Sequence, residues 1–134
     1  MKHVGGFFIW RMLAFLMVCA FPAMAQTAAQ HAAEYNATGV AQYKPGQYED
    51  ALKSFLQAYQ AAPDHVTVRN NLCNAYQAQA NVLAQSSDFA NAARYLDMAI
   101  SVSPDNPKPL LMLGACRLRL NHVSEAIARL EEAV

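Results

Sequence analysis

His31, His65 and His122, with Cys73 and Cys116, are the side chains beyond the opening segment best suited to covalent or metal chemistry. Their spacing argues against both. No two histidines stand at helical spacing, and no H-E-x-x-H occurs, so a zinc-hydrolase helix is excluded. Cys116 and His122 are separated by an interval that fits no zinc-site pattern. A G-x-S-x-G elbow is absent, which removes the commonest signature of a serine hydrolase. Past the opening segment the glycines are Gly39, Gly46 and Gly114, too dispersed to form a phosphate-cradling loop. The acidic pairs Glu49-Asp50 and Glu131-Glu132 read as solubilising charge, with Glu49 and Lys53 set for an i,i+4 pair. The chain is therefore read as no enzyme, with no cofactor and no metal site.

The elements that would position any site carry one pattern, written three times. The first copy has Gly39, Gly46, Tyr48, Ala51, Phe55, Ala58 and Pro63. The second has Leu72, Ala75, Tyr76, Phe89, Ala92, Leu96, Ala99 and Pro104. A third has Leu113, Gly114, Val123, Ala126, Leu130 and Ala133. The closing blocks align without a gap, Ala51-x3-Phe55-x2-Ala58-x4-Pro63 against Ala92-x3-Leu96-x2-Ala99-x4-Pro104. This resembles the tetratricopeptide repeat, a helix–turn–helix unit of about 34 residues. The resemblance implies an all-α fold, a right-handed α-solenoid of stacked helical hairpins. It spans about residues 32–134.

The opening segment has a different character. Lys2, His3 and Arg11 make a cationic start, Met12 to Phe21 is an unbroken apolar run, and Pro22-Ala23-Met24-Ala25 offers a small-residue cleavage site. Residues 1–25 are expected to be a signal peptide, cut before Gln26, which places the chain in the bacterial periplasm. The run is short of the roughly 20 residues a bilayer span needs. An uncleaved signal acting as a membrane anchor is the alternative. The 134 residues carry ten basic and ten acidic side chains; losing Lys2 and Arg11 leaves eight against ten. That balance offers no basic footprint for nucleic acid. Export would permit a disulfide, but Cys73 and Cys116 fall at small-residue helix positions and are expected as buried thiols.

Residues 26–31 are expected to be a loose leader. The first unit, 32–65, has helices from about His31 to Tyr43 and from Tyr48 to Ala61, broken at Lys44-Pro45-Gly46. Asp64 is placed to cap the next helix. In the second unit, 66–106, Pro63 to Pro104 covers 41 positions, about seven beyond the family period. Seven residues are nearly two helical turns. The extension is assigned to the first helix, Val66 to Gln85, with Ser86-Ser87-Asp88 as turn and cap, Ser87 standing where the first unit has Gly46. The third unit, 107–134, is expected as helices Leu110–Leu120 and Val123–Val134 around a turn at Asn121-His122. It lacks a closing proline and a polar capping helix, which solenoid ends need. The chain is then expected to be a fragment of a longer protein, or its last helix to be covered by self-association.

The resemblance also implies where a partner would bind, on the groove lined by the first helices of successive units. Carried over position by position, it selects Asn36, Tyr43, Asn70, Asn74, Gln77, Lys108 and Arg119. Four amides offer donors and acceptors to a peptide backbone, Tyr43 a stacking wall, and Lys108 and Arg119 attraction for carboxylates. Some relatives clamp a C-terminal carboxylate; here Asn71 and Lys108 match that pattern while Asn36, Val40 and Met112 do not, so no clamp is expected. The implied function is a non-enzymatic protein-interaction scaffold outside the cytoplasm, binding peptide or protein partners, with no membrane span after cleavage. The alternative is the N-terminal repeat module of a longer exported hydrolase or protease.

Overall fold

The computed structural model describes residues 27–132, and among them the chain forms five helices and no strand. The expected signal peptide, Gln26 and the last two residues lie outside the described residues. Helix α1 covers 27–42, so the part of the expected leader that is described is helical. It is followed by α2 (Glu49–Ala61), α3 (Val66–Gln85), α4 (Phe89–Val102) and α5 (Pro107–Glu132). No described helix is long and apolar enough to cross a membrane.

Each break between helices has a local cause. Pro45 and Gly46 turn the chain between α1 and α2, Gly46 at φ 79° and the Gln47 N–H returning to the Lys44 carbonyl at 3.0 Å. A proline followed by a residue with positive φ is the chemistry of a type II turn. Ala62-Pro63-Asp64-His65 and Ser103-Pro104-Asp105-Asn106 make equivalent turns, closed by His65 N–H to Ala62 O (3.2 Å) and Asn106 N–H to Ser103 O (3.2 Å). Asp64 does not cap α3: His65 occupies that position, without a side-chain bond. The end of α3 is a Schellman motif. Ser87 takes φ 66°, its N–H reaches Ala84 O, and Asp88 N–H reaches Leu83 O. Asp88 then caps α4, accepting from the Asn91 backbone N–H (3.2 Å) and side-chain amide (2.8 Å). Those bonds hold the Asp88 carboxyl below its ordinary value. The cap is thus complete at neutral pH and is lost as pH falls through that lowered value.

Packing follows the repeated blocks. Ala51, Ala58, Ala92 and Ala99 are wholly buried, which lets helices cross closely, and Phe55, Leu72 and Leu96 fill the space between them. One cluster joins Ala51, Leu52, Phe55, Leu72, Ala75 and Val102; a second joins Ala80, Ala92, Leu96, Leu113 and Cys116. Tyr95 packs against both. Between α1 and α2 the Ser54 hydroxyl donates to Gln42 Oε1 at 2.6 Å. Lys53 pairs with Asp50 (3.1 Å) rather than with Glu49. Cys73 and Cys116 are both buried free thiols.

The third unit departs from expectation. Asn121 and His122 make no turn; α5 runs unbroken for 26 residues. Two things keep it going. Residues 121–122 include no proline or glycine, and only Gly46 and Ser87 adopt positive φ among the described residues. Asn and His in a helix interior cost well under about 1 kcal/mol each relative to alanine, too little to force a break. Ser124 donates back to Leu120 O at 3.0 Å, a bond the helix accommodates. As a result Val123, Ile127 and Leu130 are not core residues but are 50%, 52% and 68% exposed.

A Cβ at Gly39 would lie 2.6 Å from two ring carbons of Phe55, whereas one at Gly114 would meet nothing. Gly39→Ala is expected to lower stability by about 1–2 kcal/mol, because overpacking of about 1–3 kcal/mol outweighs the helix-propensity gain. Gly114→Ala should be neutral or stabilising, and Ser87→Gly should raise the melting temperature by relieving the left-handed backbone. Thermal unfolding of the three variants checks this, and a Gly39→Ala protein as stable as the parent would contradict the close approach.

Candidate functional site

Four of the seven carried-over residues meet in one cleft. It has a volume of about 470 Å³ and is lined by Val40 of α1, Tyr43 just past its end, Phe55 of α2, Asn71, Asn74, Gln77, Ala78 and Asn81 of α3, and Lys108 of α5. The face of α3 is set by helical period: 74, 77, 78 and 81 recur every three or four residues. The Tyr43 ring is anchored by Tyr48 (centroids 4.9 Å) and Phe55 (6.5 Å). Partial burial, with Tyr48 beside it, pushes the Tyr43 phenol above its ordinary value, so it remains a hydrogen-bond donor.

The other three are placed differently. Asn36 is half-buried and takes a 2.8 Å bond from Asn71 Nδ2, tying α1 to α3 beside the cleft rather than facing into it. Asn70 is exposed and not among the lining residues. Arg119 belongs to a second cleft of about 410 Å³, lined by Ala80, Asn81, Ala84, Phe89, Met112, Ala115 and Cys116 among others. Asn81 borders both clefts. It was missed because the family period stops one turn short of it; the added turns of α3 carry it onto the same face as Gln77, four residues on.

A polar network underlies the first cleft. Gln77 is 4% exposed, and its Nε2 donates to the Cys73 carbonyl and to Cys73 Sγ, each at 3.3 Å. Asn106 Nδ2 also reaches Cys73 Sγ, at 3.6 Å. Through its Oδ1, Asn106 accepts from Lys108 N–H at 3.1 Å and so caps α5, which opens with Pro107 in the first turn. The cap fixes where Lys108 begins its reach toward the cleft. Lys108 is the sole charged residue among those lining it, so the cleft is amide-rich with a cationic edge.

Among the described residues no three His, Cys, Asp or Glu side chains gather in a way that could hold a metal. Burial pushes the Cys116 thiol above its ordinary value, which keeps it protonated and a poor nucleophile. A second surface is the far half of α5. Val123, Ile127 and Leu130 continue the three-and-four spacing of Leu113, Cys116 and Leu120, but half or more of their surface is exposed.

The comparisons with known proteins agree with the helical pattern. A tetratricopeptide repeat family model matches residues 83–134, from the last turn of α3 through α4 and α5. No curated protein and no solved structure matches the chain. The repeat is a protein–protein interaction module, and the match covers the packed pair α4 and α5. Over residues 83–134, then, the chain carries a segment similar to the tetratricopeptide repeat.

Proposed function

We propose that this chain is a non-enzymatic scaffold acting outside the cytoplasm, which holds an extended segment of a partner protein in the cleft between α1, α3 and the start of α5. The observation that carries this is the amide-lined wall of α3, Asn71, Asn74, Gln77 and Asn81, facing Val40, Tyr43 and Phe55. Amides bond backbone N–H and C=O groups alike, so such a wall grips a peptide through its main chain. The apolar end accepts one of its side chains, and Lys108 favours neutral or acidic sequences. The export part rests on the cationic, apolar and small-residue order of residues 1–25.

Peptides selected from a displayed random library against the parent chain provide the test. Replacing Asn74, Gln77 and Lys108 together by alanine is expected to weaken their binding by at least about tenfold, since each lost bond is worth roughly 0.5–1.5 kcal/mol. Asn70→Ala, outside the cleft, should leave binding unchanged. Equal retention by the triple variant, or recovery of the chain from the cytoplasm with residues 1–25 attached, would count against the respective half of the reading.

A second reading, self-association through α5, is favoured by the exposed Val123, Ile127 and Leu130 stripe. Sedimentation over a wide concentration range should then show reversible dimers that Ile127→Glu abolishes. A strictly monomeric parent would eliminate it.

A further inference from the structure

The bare half of α5 carries more than apolar surface. Leu113, Cys116, Leu120, Val123, Ile127 and Leu130 alternate by three and four, so they form a single seam along the helix. Leu113 and Cys116 are closed by α4 and share a cluster with its Ala92 and Leu96. From Leu120 onward the seam opens, reaching 68% exposure at Leu130. Arg117, Ser124 and Glu131 are spaced by sevens and lie along one edge of it. That edge has a base at one end, an acid at the other and a small residue midway. Arg117 meets the Asp97 carboxylate loosely, at 3.7 Å with both side chains well exposed. Among the described residues Glu131 enters no ion pair.

We infer that two copies of this chain pair through α5 in antiparallel sense, about a two-fold axis midway between Leu120 and Leu130, with Arg117 of each copy facing Glu131 of the other. This rests on the self-association reading above and adds to it a direction, a register and the ion pair that selects them. Direction follows from charge. When two seams pack antiparallel, like edges face each other, so the edge of Arg117, Ser124 and Glu131 meets its own reverse. Arg117 then lies against Glu131 twice, with the two Ser124 residues close to the axis. Packed parallel, this edge meets the opposite one, whose residues nearest Arg117 and Glu131 are the uncharged Met112 and Ala126. Register follows from α4. The antiparallel pairing sets Val123 against Ile127 and Leu120 against Leu130 of the second copy, so the open positions of each helix cover one another. Sliding by one heptad in one direction brings Ile127 onto Cys116, where α4 already lies. Sliding the other way parts Arg117 from Glu131 by about 10 Å. In the chosen register the second copy takes up the seam where α4 leaves it. Four apolar residues a side make a short seam, so association is weak and reversible, and the surface ion pairs tune it rather than drive it.

Sedimentation of the parent chain and of charge-exchanged variants, alone and in equimolar mixtures, provides the test. Arg117→Glu leaves the edge with two acids and Glu131→Arg leaves it with two bases, so each self-associates about tenfold more weakly than the parent. Mixed together, the two dimerise at a concentration about tenfold lower than either alone, and the gain fades as salt screens it. Combining both exchanges in one chain restores the parent's association. Arg129→Glu makes the same change in net charge on the outer side of α5, and its mixture with Glu131→Arg dimerises no more tightly than Arg129→Glu alone. In the parent, added sodium chloride should weaken the dimer, a readout that depends on no variant folding. Dimers indifferent to these exchanges, an Arg129→Glu mixture that gains as much, or a parent dimer that salt leaves unweakened overturns the antiparallel register and leaves self-association standing. A parent that stays monomeric at every concentration overturns both.

Discussion

Helices stack only as closely as their smallest facing residues permit, and the contact of Gly39 with the Phe55 ring sets that limit here. No Cβ fits between them. The same device recurs in gentler form at Ala51, Ala58, Ala75, Ala92 and Ala99, none of which retains any exposure. With α1 drawn against α2 at Gly39, Val40 one position on and Tyr43 just past the end of α1 line the cleft together with α3. The cleft is therefore a by-product of a packing constraint. Its apolar wall exists because Phe55 is held from behind by glycine, and its polar wall because α3 turns one amide face toward the space left open.

Much of this was legible in the residue pattern, and the reasons differ by element. The Ala-x3-Phe/Leu-x2-Ala blocks were readable because burial imposes size as well as polarity, and both copies are buried as the pattern requires. The breaks at Pro45-Gly46, Pro63, Ser87 and Pro104 were readable because each contains a residue whose backbone preferences oppose the helix. The α5 continuation was not. Whether Asn121-His122 bends depends on preferences of tenths of a kcal/mol, which spacing cannot rank. Within the site, Tyr43, Asn74, Gln77 and Lys108 followed from the family register. Asn81 required knowing which face the added turns of α3 present, although the i+4 step from Gln77 marks it. The Gln77–Cys73–Asn106 network was beyond reach, since a thiol as acceptor between two amides leaves no trace in spacing.

Helix α5 shows how one side of an element can change role along its length. Leu113 and Cys116 lie on α4 and are nearly fully buried, 5% and 6% exposed. The same stripe, in unbroken phase, emerges past the end of α4 as Val123, Ile127 and Leu130. At about 1.5 Å per residue, α5 extends roughly 39 Å and α4 roughly 21 Å, so the overhang is a matter of length alone. The covered half carries the repeat; the bare half carries apolar surface that the described residues do not shield.

Tyr95 belongs to both hydrophobic clusters and also faces the Tyr76 ring at 6.1 Å. Arrays of repeats ordinarily hold together through neighbour-to-neighbour interfaces, and each junction is a place where the array can come apart. A single aromatic shared by two clusters fuses that junction. The hairpins on either side of α4 are thereby committed to melt in one cooperative event, and amide exchange across α2, α3 and α4 should slow to a common depth while the outer half of α5 opens on its own.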